Sequence, residues 1–475
     1  MNSSLLLKEQ IITRLVYDNP WWVSGEVVRD YKEMKHRPYI DIFYPMVIDR
    51  SVQRAVILMG PRRIGKTVML FHSIDRLIQD GVDPQKIIYL SIDTPIYNGL
   101  ALEDLFLMAR EALKQQDNEG FYIFYDEIQY LKGWENHLKS MVDSYRKVKF
   151  VASGSAAAAL KMKSNESGAG RFTDFILPPL TFYEYIHLQG MERLIVEKKE
   201  ANETIPYDTV HIDELNRHFI DYINFGGYPE VVFSDKIRAN LHQYIRHDII
   251  DKVLLRDLPS LYGITDTQEL NRLFVYIAYR SGSEFSYETM SQESGVRKEV
   301  LKRYLEYLEA AFLVKTIHKT DQNAKRMQRI TTFKLYLTNP SLRCALFSPI
   351  DDSNQMIGSL VETALFSQRI QAGTGGVHYA NWVEGRVRGE VDMVWIDPYT
   401  QKPASVTEIK WSDRYFDSVN ELKSLIRFIE INAIPKVIVT TKTKSGVRTL
   451  SGKEVHFIPT AVYAYWASRH GALNQ

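Results

Sequence analysis

An octapeptide near the start of the chain constrains its fold more than any other stretch. Residues 60–67 read GPRRIGKT; they follow the apolar run Ala55–Met59 and precede the helical pattern of residues 68–71. Glycines let backbone N–H groups turn inward around a phosphate, a lysine reaches the outer phosphates, and the following hydroxyl can hold Mg²⁺. A helix that begins at the lysine adds the positive end of its dipole. The segment predicts a phosphate-binding P-loop made of Gly60, Pro61, Arg62, Arg63, Ile64, Gly65, Lys66 and Thr67.

Composition narrows the classes to which the protein can belong. With 45% hydrophobic and 25% charged residues, the 475-residue chain has an ordinary globular composition. No apolar run approaches the roughly 20 residues of a spanning helix, so we expect no membrane segment and no signal peptide. The single cysteine, Cys344, fits a reducing compartment and predicts a cytoplasmic location. A net charge of +1 gives no general attraction to nucleic acid, which would have to bind at local basic patches.

The segment between residues 55 and 190 alternates apolar strands with helices, which is typical of a parallel α/β sheet. Strands are predicted at Ala55–Met59, 87–92, 121–125, 150–152 and 175–177. Asp126 and Glu127 follow the third strand, and Ser153 follows the fourth. Ligands bind at the carboxyl ends of such strands. We therefore expect Asp126 to hold Mg²⁺ and Glu127 to activate the water that attacks the γ-phosphate. Ser153 is either a γ-phosphate sensor or a small turn residue.

Two arginines are candidates for stabilising the charge on a transferred phosphate. Arg171 follows a Gly-rich, polar stretch, and an arginine finger there could serve its own subunit or a neighbouring one. An ordinary surface arginine is the alternative. Arg256 lies in a segment whose charges alternate in sign, which favours a solvated helix face over a finger.

A different pattern begins near residue 284: two helices joined by a tight turn, followed by two strands. The helices are predicted at 286–294 and 297–310, and the strands at 313–317 and 331–337. This is the layout of a winged helix. Its second helix and the stretch between its strands are basic, with Arg297, Lys298, Lys302, Arg303, Lys325 and Arg326. Such residues suit phosphate contacts, so the module is expected to bind DNA, with a protein–protein module as the alternative.

The remainder of the chain contains a second set of candidate catalytic residues. They are Glu362 on a predicted helix at 358–370, Glu390 and Asp392 on a predicted strand Val387–Ile396, and Glu408 and Lys410 on a predicted strand at 405–411. Asp392 and Glu408, with a backbone carbonyl, could bind a divalent metal. Lys410 could then polarise or help deprotonate the attacking water while the metal stabilises the charge on a scissile phosphate.

Several motifs together resemble a prokaryotic family of AAA+ ATPases that carries a C-terminal domain of long-unknown function. The motifs lie at residues 60–67 (Walker A), 125–129 (Walker B), 153–155, 170–171, 179–185 and 225–229. The resemblance implies a magnesium-dependent ATPase with ATP and Mg²⁺ as cofactors. Because AAA+ sites commonly borrow an arginine from a neighbour, it also implies a homo-oligomer, for which a hexameric ring is one arrangement.

The C-terminal part resembles the PD-(D/E)xK restriction-endonuclease-like fold, and its Holliday-junction-resolvase branch in particular. This resemblance implies metal ligands at Asp392 and Glu408, a catalytic lysine at Lys410 and an auxiliary carboxylate at Glu362. Mg²⁺, or Mn²⁺ in its place, would be the metal. The proline that names the motif is absent, and Val391 stands in its position.

The sequence thus predicts an α/β protein with five parts. These are an N-terminal lead-in (1–50) with a short strand at 39–44, an AAA+ P-loop ATPase core (51–190), a helical lid and linker (191–280), a winged-helix module (281–340) and a restriction-endonuclease-like domain (341–475). The expected function is ATP-dependent binding and cleavage of branched or structured DNA, in repair, recombination or defence. The alternative is a STAND-like regulatory ATPase switch whose nuclease fold is inactive.

Overall fold

The computed structural model describes residues 3–154, 170–198, 205–320, 332–371, 376–385, 387–397 and 399–473. The chain forms two compact units, one ending at Pro178 and the other beginning at Pro179. This division comes earlier in the chain than the predicted end of the ATPase core at residue 190. Among the described residues, no helix combines the length and the apolar character needed to cross a bilayer.

The first unit is built on a five-stranded sheet in which all strands are parallel. The strands are β1 (Ala55–Met59), β2 (Ile87–Ser91), β3 (Tyr122–Asp126), β4 (Lys149–Gly154) and β5 (Phe172–Ile176). Their order across the sheet is β2-β3-β4-β1-β5. Strands β1 to β4 are buried along almost their whole length, because helices cover a parallel sheet on both faces. The predicted parallel α/β core is confirmed.

Seven α-helices accompany this sheet among the described residues of the first unit. They are α1 (Ser3–Asp18), α2 (Trp21–Ser24), α3 (Arg29–Lys32), α4 (Ile40–Ile48), α5 (Lys66–Gln79), α6 (Leu102–Ala112) and α7 (Trp134–Ser144), with 3₁₀ turns at Pro84–Lys86, Pro95–Tyr97 and Ile128–Tyr130. The predicted strand at 39–44 is wrong, because α4 occupies this stretch. Its buried residues Ile40, Phe43, Tyr44 and Val47 follow the i, i+3, i+4, i+7 spacing of one helix face.

The lead-in covers the free edge of strand β2. The indole N–H groups of Trp21 and Trp22 both donate to the carbonyl oxygen of Ile87, at 3.0 and 2.7 Å. The side chain of Asn19 both accepts from the backbone N–H of Tyr89, at 2.6 Å, and donates to its carbonyl oxygen, at 2.9 Å. Unpaired edge groups are thereby satisfied, which removes a site for unwanted strand pairing.

The second unit is built on a nine-stranded mixed sheet and a separate two-stranded ribbon. Its strands are β6 (Val196–Glu197), β7 (Tyr207–Asp208), β8 (Glu284–Ser286), β9 (Val314–Thr320), β10 (Thr332–Leu337), β11 (Val377–Glu384), β12 (Val387–Ile396), β13 (Pro403–Glu408), β14 (Lys436–Thr441), β15 (Gly446–Leu450) and β16 (Lys453–Pro459). The order in the large sheet is β15-β16-β14-β13-β12-β11-β9-β10-β8.

The helices of the second unit confirm most of the predicted elements. They are α8 (Phe182–Leu188), α9 (Ile212–Phe225), α10 (Pro229–Phe233), α11 (Asp235–Ala239), α12 (Leu258–Tyr262), α13 (Thr267–Tyr279), α14 (Tyr287–Ser294), α15 (Lys298–Ala310), α16 (Ser341–Leu346), α17 (Ile357–Gln371), α18 (Arg414–Asp417), α19 (Lys423–Ile431) and α20 (Thr460–Leu473). The segments His242–Asp251 and Val253–Asp257 are π-helical, and 3₁₀ turns lie at Glu192–Leu194 and Val419–Glu421. The two helices and two strands predicted for a winged helix appear as α14, α15, β9 and β10.

The hairpin of β9 and β10 continues the sheet of the C-terminal strands. Strand β9 pairs with β10 on one side and, in parallel, with β11 on the other, where Tyr379 lies opposite Lys319 and Ala380 opposite Thr320. The predicted boundary at residue 340 therefore falls within one continuous sheet. Periodicity along the chain identifies strands but not their neighbours, so the sequence did not indicate this pairing.

The buried residue His72 should make the stability of the first unit depend on pH. His72 of α5 is 3% exposed, and its Nε2–H donates to the carbonyl oxygen of Tyr31 at 2.9 Å. Burial, helped by the nearby His36, lowers the pKa of His72 from 6.5 to about 4. Between these values the unfolded chain binds a proton that the folded chain does not, so stability is lost as the pH falls from 6.5 towards 4.

The variant His72→Gln keeps a side-chain donor for Tyr31 and does not titrate. We expect its thermal unfolding midpoint to fall less steeply than that of the wild type between pH 6.5 and pH 4. Differential scanning calorimetry across this range measures the effect. Identical pH profiles for the two proteins would contradict the assignment.

Candidate active sites

Residues 60–67 connect strand β1 to helix α5, and two of their glycines have backbones that other residues rarely adopt. Gly60 has φ +155°, and a Cβ there would lie 2.2 Å from the carbonyl oxygen of Leu177. Gly65 has φ +91°. Since α5 begins at Lys66, the positive end of its dipole lies at the loop. The local geometry is that of a phosphate-binding loop.

The ammonium group of Lys66 is held inside this loop. Its Nζ donates to the carbonyl oxygens of Gly60 and Pro61, at 3.1 and 2.7 Å, and the residue is 5% exposed. Arg37, which the sequence analysis did not single out, donates to the carbonyl oxygens of Ile64 and Pro178, at 2.9 and 3.0 Å. Arg37 thereby braces the loop against the chain that follows β5. No sequence motif surrounds Arg37, so the sequence alone does not indicate its contact with the P-loop.

Asp126 is the acceptor around which the other predicted ATPase residues meet. Its Oδ2 accepts from the hydroxyls of Thr67, at 2.7 Å, and Tyr89, at 2.8 Å. Its Oδ1 accepts from the hydroxyl of Ser153. Strand β4 lies between β1 and β3, so the end of β4 delivers Ser153 to this point. A hydroxyl and a carboxylate side by side fit the coordination of Mg²⁺, directly or through water.

Burial is the main influence on the ionisation of Asp126. Asp126 is 2% exposed, and burial, followed by the neighbouring Glu127 carboxylate, raises its pKa. A divalent cation would oppose both effects, because it favours the ionised carboxylate.

Glu127 has a left-handed backbone, with φ +52°. Its N–H lies 3.1 Å from Asp126 Oδ1 and 3.3 Å from the hydroxyl oxygen of Ser153. The amide of Gln129 donates to Glu127 Oε2. A non-glycine residue in this conformation costs about 1–3 kcal/mol, and such strain occurs often at active sites. The backbone of Glu127 is consistent with the role predicted for its carboxylate.

Arg171 is not brought to the P-loop of its own chain. Its carbonyl oxygen accepts from the N–H of Ala55, so it lies at the amino ends of β5 and β1, whereas residues 60–67 follow the carboxyl end of β1. Its Nε donates to Asp143 Oδ1 at 2.9 Å. A finger role within the same chain does not fit this geometry, and action on a neighbouring subunit stays a prediction.

Three of the residues predicted for a nuclease site are together in the second unit. Lys410 Nζ lies 2.8 Å from Glu408 Oε1 and 3.5 Å from Asp392 Oδ2. Asp392 Oδ2 also accepts from the N–H of Ile409 at 2.7 Å. The carboxylates come from the neighbouring antiparallel strands β12 and β13, adjacent to the paired residues Met393 and Thr407. We call Asp392, Glu408 and Lys410 the DEK cluster.

Strand β13 ends at Glu408, earlier than predicted, and hydrogen bonds fix the backbone beyond it. The N–H of Lys410 donates to the hydroxyl oxygen of Thr440 at 2.8 Å. Its carbonyl oxygen accepts from the hydroxyls of Thr440 and Thr460, at 3.0 and 3.2 Å. These bonds hold Lys410 beside the carboxylates although it lies outside the strand.

Burial dominates the electrostatics of the DEK cluster. Burial, with the Asp392 carboxylate adding to it, raises the pKa of Glu408 to about 8. Burial tends to lower the pKa of Lys410, but Asp392 and Glu408 outweigh it and hold that pKa above its usual range. Within the described part of the chain, Glu408 Oε2 is buried and has no hydrogen-bond partner. This oxygen is available to a cation.

Glu362 is held by two residues that the sequence analysis missed. Its Oε1 accepts from Lys334 Nζ at 2.9 Å and from the hydroxyl of Tyr336 at 2.6 Å. Lys334 Nζ also lies 2.8 Å from Glu390 Oε1, and its side chain is 5% exposed. A lysine within the otherwise apolar segment of β10 was the one available signal. Because β10 belongs to the predicted winged helix, the sequence assigns Lys334 to that module and not to the predicted nuclease site.

These groups form one electrostatic cluster. Burial raises the pKa of Glu362, and Lys334 opposes this effect while Asp392 adds to it. The acids Glu362, Glu390, Asp392 and Glu408 outnumber the lysines Lys334 and Lys410. An excess of carboxylates with one unpaired buried oxygen suits a divalent cation.

The donor set for a metal is nonetheless small. In the described ranges, no group of three or more His, Cys, Asp or Glu side chains is arranged to hold a metal ion. Asp392 and Glu408 would therefore be joined by backbone oxygen, water or substrate oxygen.

The basic residues predicted to contact DNA lie on or next to helix α15. Arg297 precedes its first turn, and Arg297, Lys302 and Arg303 are exposed, while Lys298 pairs with Glu288. The opposite face of α15 buries its apolar residues, namely Leu301, Tyr304, Leu305 and Leu308. Lys325 and Arg326 lie outside the described residues.

Comparison with protein families identifies the class of the first unit. Residues 52–186 match the family model of the AAA domain. With the parallel sheet and the P-loop geometry above, this match shows that the chain carries an AAA-type P-loop ATPase domain, a nucleotide-binding class. Residues 216–354 match the model of a domain of unknown function, DUF8612, which ends just before α17.

Individual relatives are distant. The chain is 25% identical over 292 residues to an uncharacterized protein of Haemophilus influenzae, covering 60% of this chain and 68% of the relative. It is 24% identical over 401 residues to an uncharacterized protein of Methanocaldococcus jannaschii, covering 79% and 80%. The structure of a Walker-type ATPase of Pyrococcus abyssi gives a TM-score of 0.40 at 14% identity, covering 68% of this chain and 97% of that one. This score is too low to establish a common fold.

Two variants, one in the P-loop and one after strand β3, separate nucleotide binding from hydrolysis. Lys66→Ala removes the charge that is predicted to reach the outer phosphates, so we expect weak ATP binding and no hydrolysis. Glu127→Gln keeps binding but removes the carboxylate that would activate water, and hydrolysis should fall by about 10² or more. Nucleotide titration and phosphate release measure the two steps. The control is Lys114→Asn, at an exposed lysine with φ +54°, a conformation that asparagine tolerates. Hydrolysis at the wild-type rate in either test variant would contradict the assigned roles.

Removal of Lys334 should destabilise the second unit. Lys334→Met leaves Glu362 and Glu390 without their cation, and breaking a buried pair from one side costs about 3–5 kcal/mol. The double variant Lys334→Met/Glu362→Gln should recover part of this loss, because it removes the uncompensated charge. Urea unfolding measures the difference. Lys315→Met, at an exposed lysine of β9, is the matched control and should change stability by less than about 0.5 kcal/mol. Equal effects at Lys334 and Lys315 would contradict the buried ion pairs.

Proposed function

We propose that the protein is a magnesium-dependent AAA+ ATPase that acts on DNA and cuts it at the DEK cluster of the second unit. One observation carries the nuclease proposal: a lysine 2.8 and 3.5 Å from two carboxylates, one of which keeps a buried oxygen without a partner. This combination suits a metal-assisted hydrolysis of a phosphodiester.

In the ATPase site, each residue has a separate task. Lys66 would bind the outer phosphates, and Thr67 and Asp126 would hold Mg²⁺, which neutralises phosphate charge when bound. Glu127 orients the attacking water and accepts its proton. Ser153, which donates to Asp126, would sense the γ-phosphate through its hydroxyl.

The order of elements in the second unit supports the likeness to a restriction-endonuclease-like fold. Helix α17 precedes strands β11, β12 and β13, which pair in antiparallel fashion, and helix α19 then leads to β14, which pairs with β13 in parallel. Acidic residues on the helix and on the second and third strands are the arrangement that the resemblance implies.

At the DEK cluster, Asp392 and Glu408 would hold Mg²⁺ or Mn²⁺, which would stabilise charge on the scissile phosphate. The ammonium group of Lys410 is held in place by its hydrogen bond to Glu408 Oε1. From there it would orient the attacking water and exchange a proton with it. Glu362 would act as an auxiliary acid, held in place by Lys334 and Tyr336. Burial favours neutral Glu408, and a bound cation would favour its ionised form.

The remaining assignments are part of the same proposal. The exposed basic residues of α15 contact DNA phosphates, and a helical lid, a winged helix and a nuclease-like domain follow the ATPase core. The active form is a homo-oligomer, with a hexamer as one arrangement, that works in the cytoplasm. Branched DNA is the first substrate to test, and repair, recombination or defence is the setting.

A second candidate is a STAND-like nucleotide switch in which the C-terminal fold is structural. The ion pairs of Lys410 with Glu408 and Asp392, and of Lys334 with Glu362 and Glu390, favour it. Buried acids that only stabilise a fold also need such internal cations. In this case ATP hydrolysis would be slow and unaffected by DNA.

The experiment that tests the nuclease proposal is a cleavage panel of single-stranded, duplex and four-way-junction DNA with Mg²⁺ or Mn²⁺, with and without ATP. We expect metal-dependent cleavage by the wild type. Asp392→Asn and Lys410→Ala should abolish cleavage and leave DNA binding intact. Lys402→Ala, at an exposed lysine of the same unit, is the control.

The outcomes separate the two candidates. A wild-type protein that cuts none of these DNAs with either metal contradicts the nuclease. DNA-stimulated ATP hydrolysis supports action on DNA, whereas an unchanged hydrolysis rate together with a negative panel supports the switch.

A further inference from the structure

We propose that the first unit has a second anion site, separate from the P-loop, that binds phosphate groups. A cavity of about 340 Å³ lies beside the loop that joins α4 to β1. Among its described lining residues, five are cationic and one is acidic: Arg50, Arg54, Arg146, Lys147, Lys149 and Glu119. We call these six residues the basic cavity.

The basic cavity lies at the edge of the sheet opposite the P-loop. Arg54 immediately precedes β1, and Lys149 is the first residue of β4. The P-loop follows the carboxyl end of β1, and a five-residue strand spans about 15 Å. A ligand here would therefore not occupy the nucleotide site.

Arg50 is held in place by hydrogen bonds, and among the described residues it has no carboxylate partner. Its guanidinium donates to the carbonyl oxygens of Gly120, Phe121 and Lys147, at 3.0, 3.2 and 2.9 Å. It also lies 4.2 Å from the ring centre of Tyr122. Carbonyl acceptors satisfy its N–H groups but leave its positive charge uncompensated, so the cavity keeps a positive potential.

Lys149 adds a buried charge beside Arg50. The residue is 6% exposed, and its Nζ donates to the carbonyl oxygen of Asp49 at 2.5 Å. Burial lowers its pKa to about 8; the charge of Asp49 opposes this, and Arg50 adds to it. An anion in the cavity would offset both the lost hydration and the repulsion between Lys149 and Arg50.

Two arginines at the cavity have unused donors. Arg54 and Arg146 are exposed, and within the described parts of the chain their side chains have no hydrogen bond or ion pair. Lys147, by contrast, pairs with Glu119, the acidic residue of the cavity. The cavity thus combines two cations that hydrogen bonds hold in place, the exposed Arg50 and the buried Lys149, with guanidinium groups that can turn towards a ligand.

Phosphate is the ligand chemistry that this arrangement favours. The planar fork of a guanidinium matches two phosphate oxygens, and fixed lysine and arginine charges suit its negative charge. The volume accommodates a pyrophosphate or a short stretch of phosphodiester. The phosphate can come from nucleic acid or from a free phosphate compound, and neither source depends on the DEK cluster. The inference therefore goes beyond the proposed function.

The test uses the full-length protein with its P-loop saturated by a nonhydrolysable ATP analogue and Mg²⁺. Binding of a labelled single-stranded oligonucleotide is followed by fluorescence anisotropy across a salt series, and binding of pyrophosphate by calorimetry. The double variant Arg54→Ala/Arg146→Ala is compared with the charge-matched Lys114→Asn/Lys132→Ala, whose two lysines are exposed in the same unit.

We expect the arginine variant to bind its ligand about tenfold more weakly than the control, and the salt slope for nucleic acid to fall by roughly 1.5, as for two lost phosphate contacts. Weaker binding of the oligonucleotide assigns the site to nucleic acid. Weaker binding of pyrophosphate alone assigns it to free phosphate compounds. Equal binding by the arginine variant and the control, or no binding by the wild type, overturns the proposal. DNA cleavage that persists in the arginine variant leaves the nuclease proposal standing in either case.

Discussion

The ion pairs of Lys334 connect parts of the second unit that are far apart in sequence. One ammonium group on β10 contacts Glu362 of α17 and Glu390 of β12, and its side chain is almost fully buried. A buried ammonium group needs such acidic partners, and the largely buried Glu362 carboxylate in turn needs the lysine, whereas Glu390 is about half exposed. The arrangement of Glu362 beside the DEK cluster therefore depends on a residue from the hairpin, and the acidic site is not a property of the C-terminal strands alone.

The first unit uses the opposite solution around Asp126. There a buried carboxylate is surrounded by the hydroxyls of Thr67, Tyr89 and Ser153 rather than by a lysine. Hydroxyls can rotate and exchange partners, whereas an ammonium ion competes directly with a metal. The hydrogen-bond partners of Asp126 are thus neutral hydroxyls, which would not compete with a cation, while the DEK cluster already contains the ammonium group of Lys410. A metal ion at the DEK cluster would have to compete with Lys410, whereas the hydroxyl partners of Asp126 would not oppose a metal ion there.

Motifs that depend on local spacing were predictable from the sequence, and features that depend on partners across space were not. Residues 60–67 follow a buried strand, so the P-loop could be located, and the Asp392, Glu408 and Lys410 pattern could be placed on two strands. The pairing of β9 with β11 leaves no trace in periodicity, so the sequence does not indicate that Lys334 of β10 lies beside Glu362. The position of Arg171 likewise depends on which end of β5 it precedes, which spacing alone does not fix.

The shared sheet has a consequence for how such chains can diversify. A gene fusion or exchange at residue 340 would separate β9 from β11, although the hydrogen bonds between these two strands join the chain before that point to the chain after it. The separated halves would each present an open strand edge, which invites pairing with foreign chains. Inherited rearrangements that keep the protein soluble should therefore leave the segment from β8 to β16 intact and vary what lies before it.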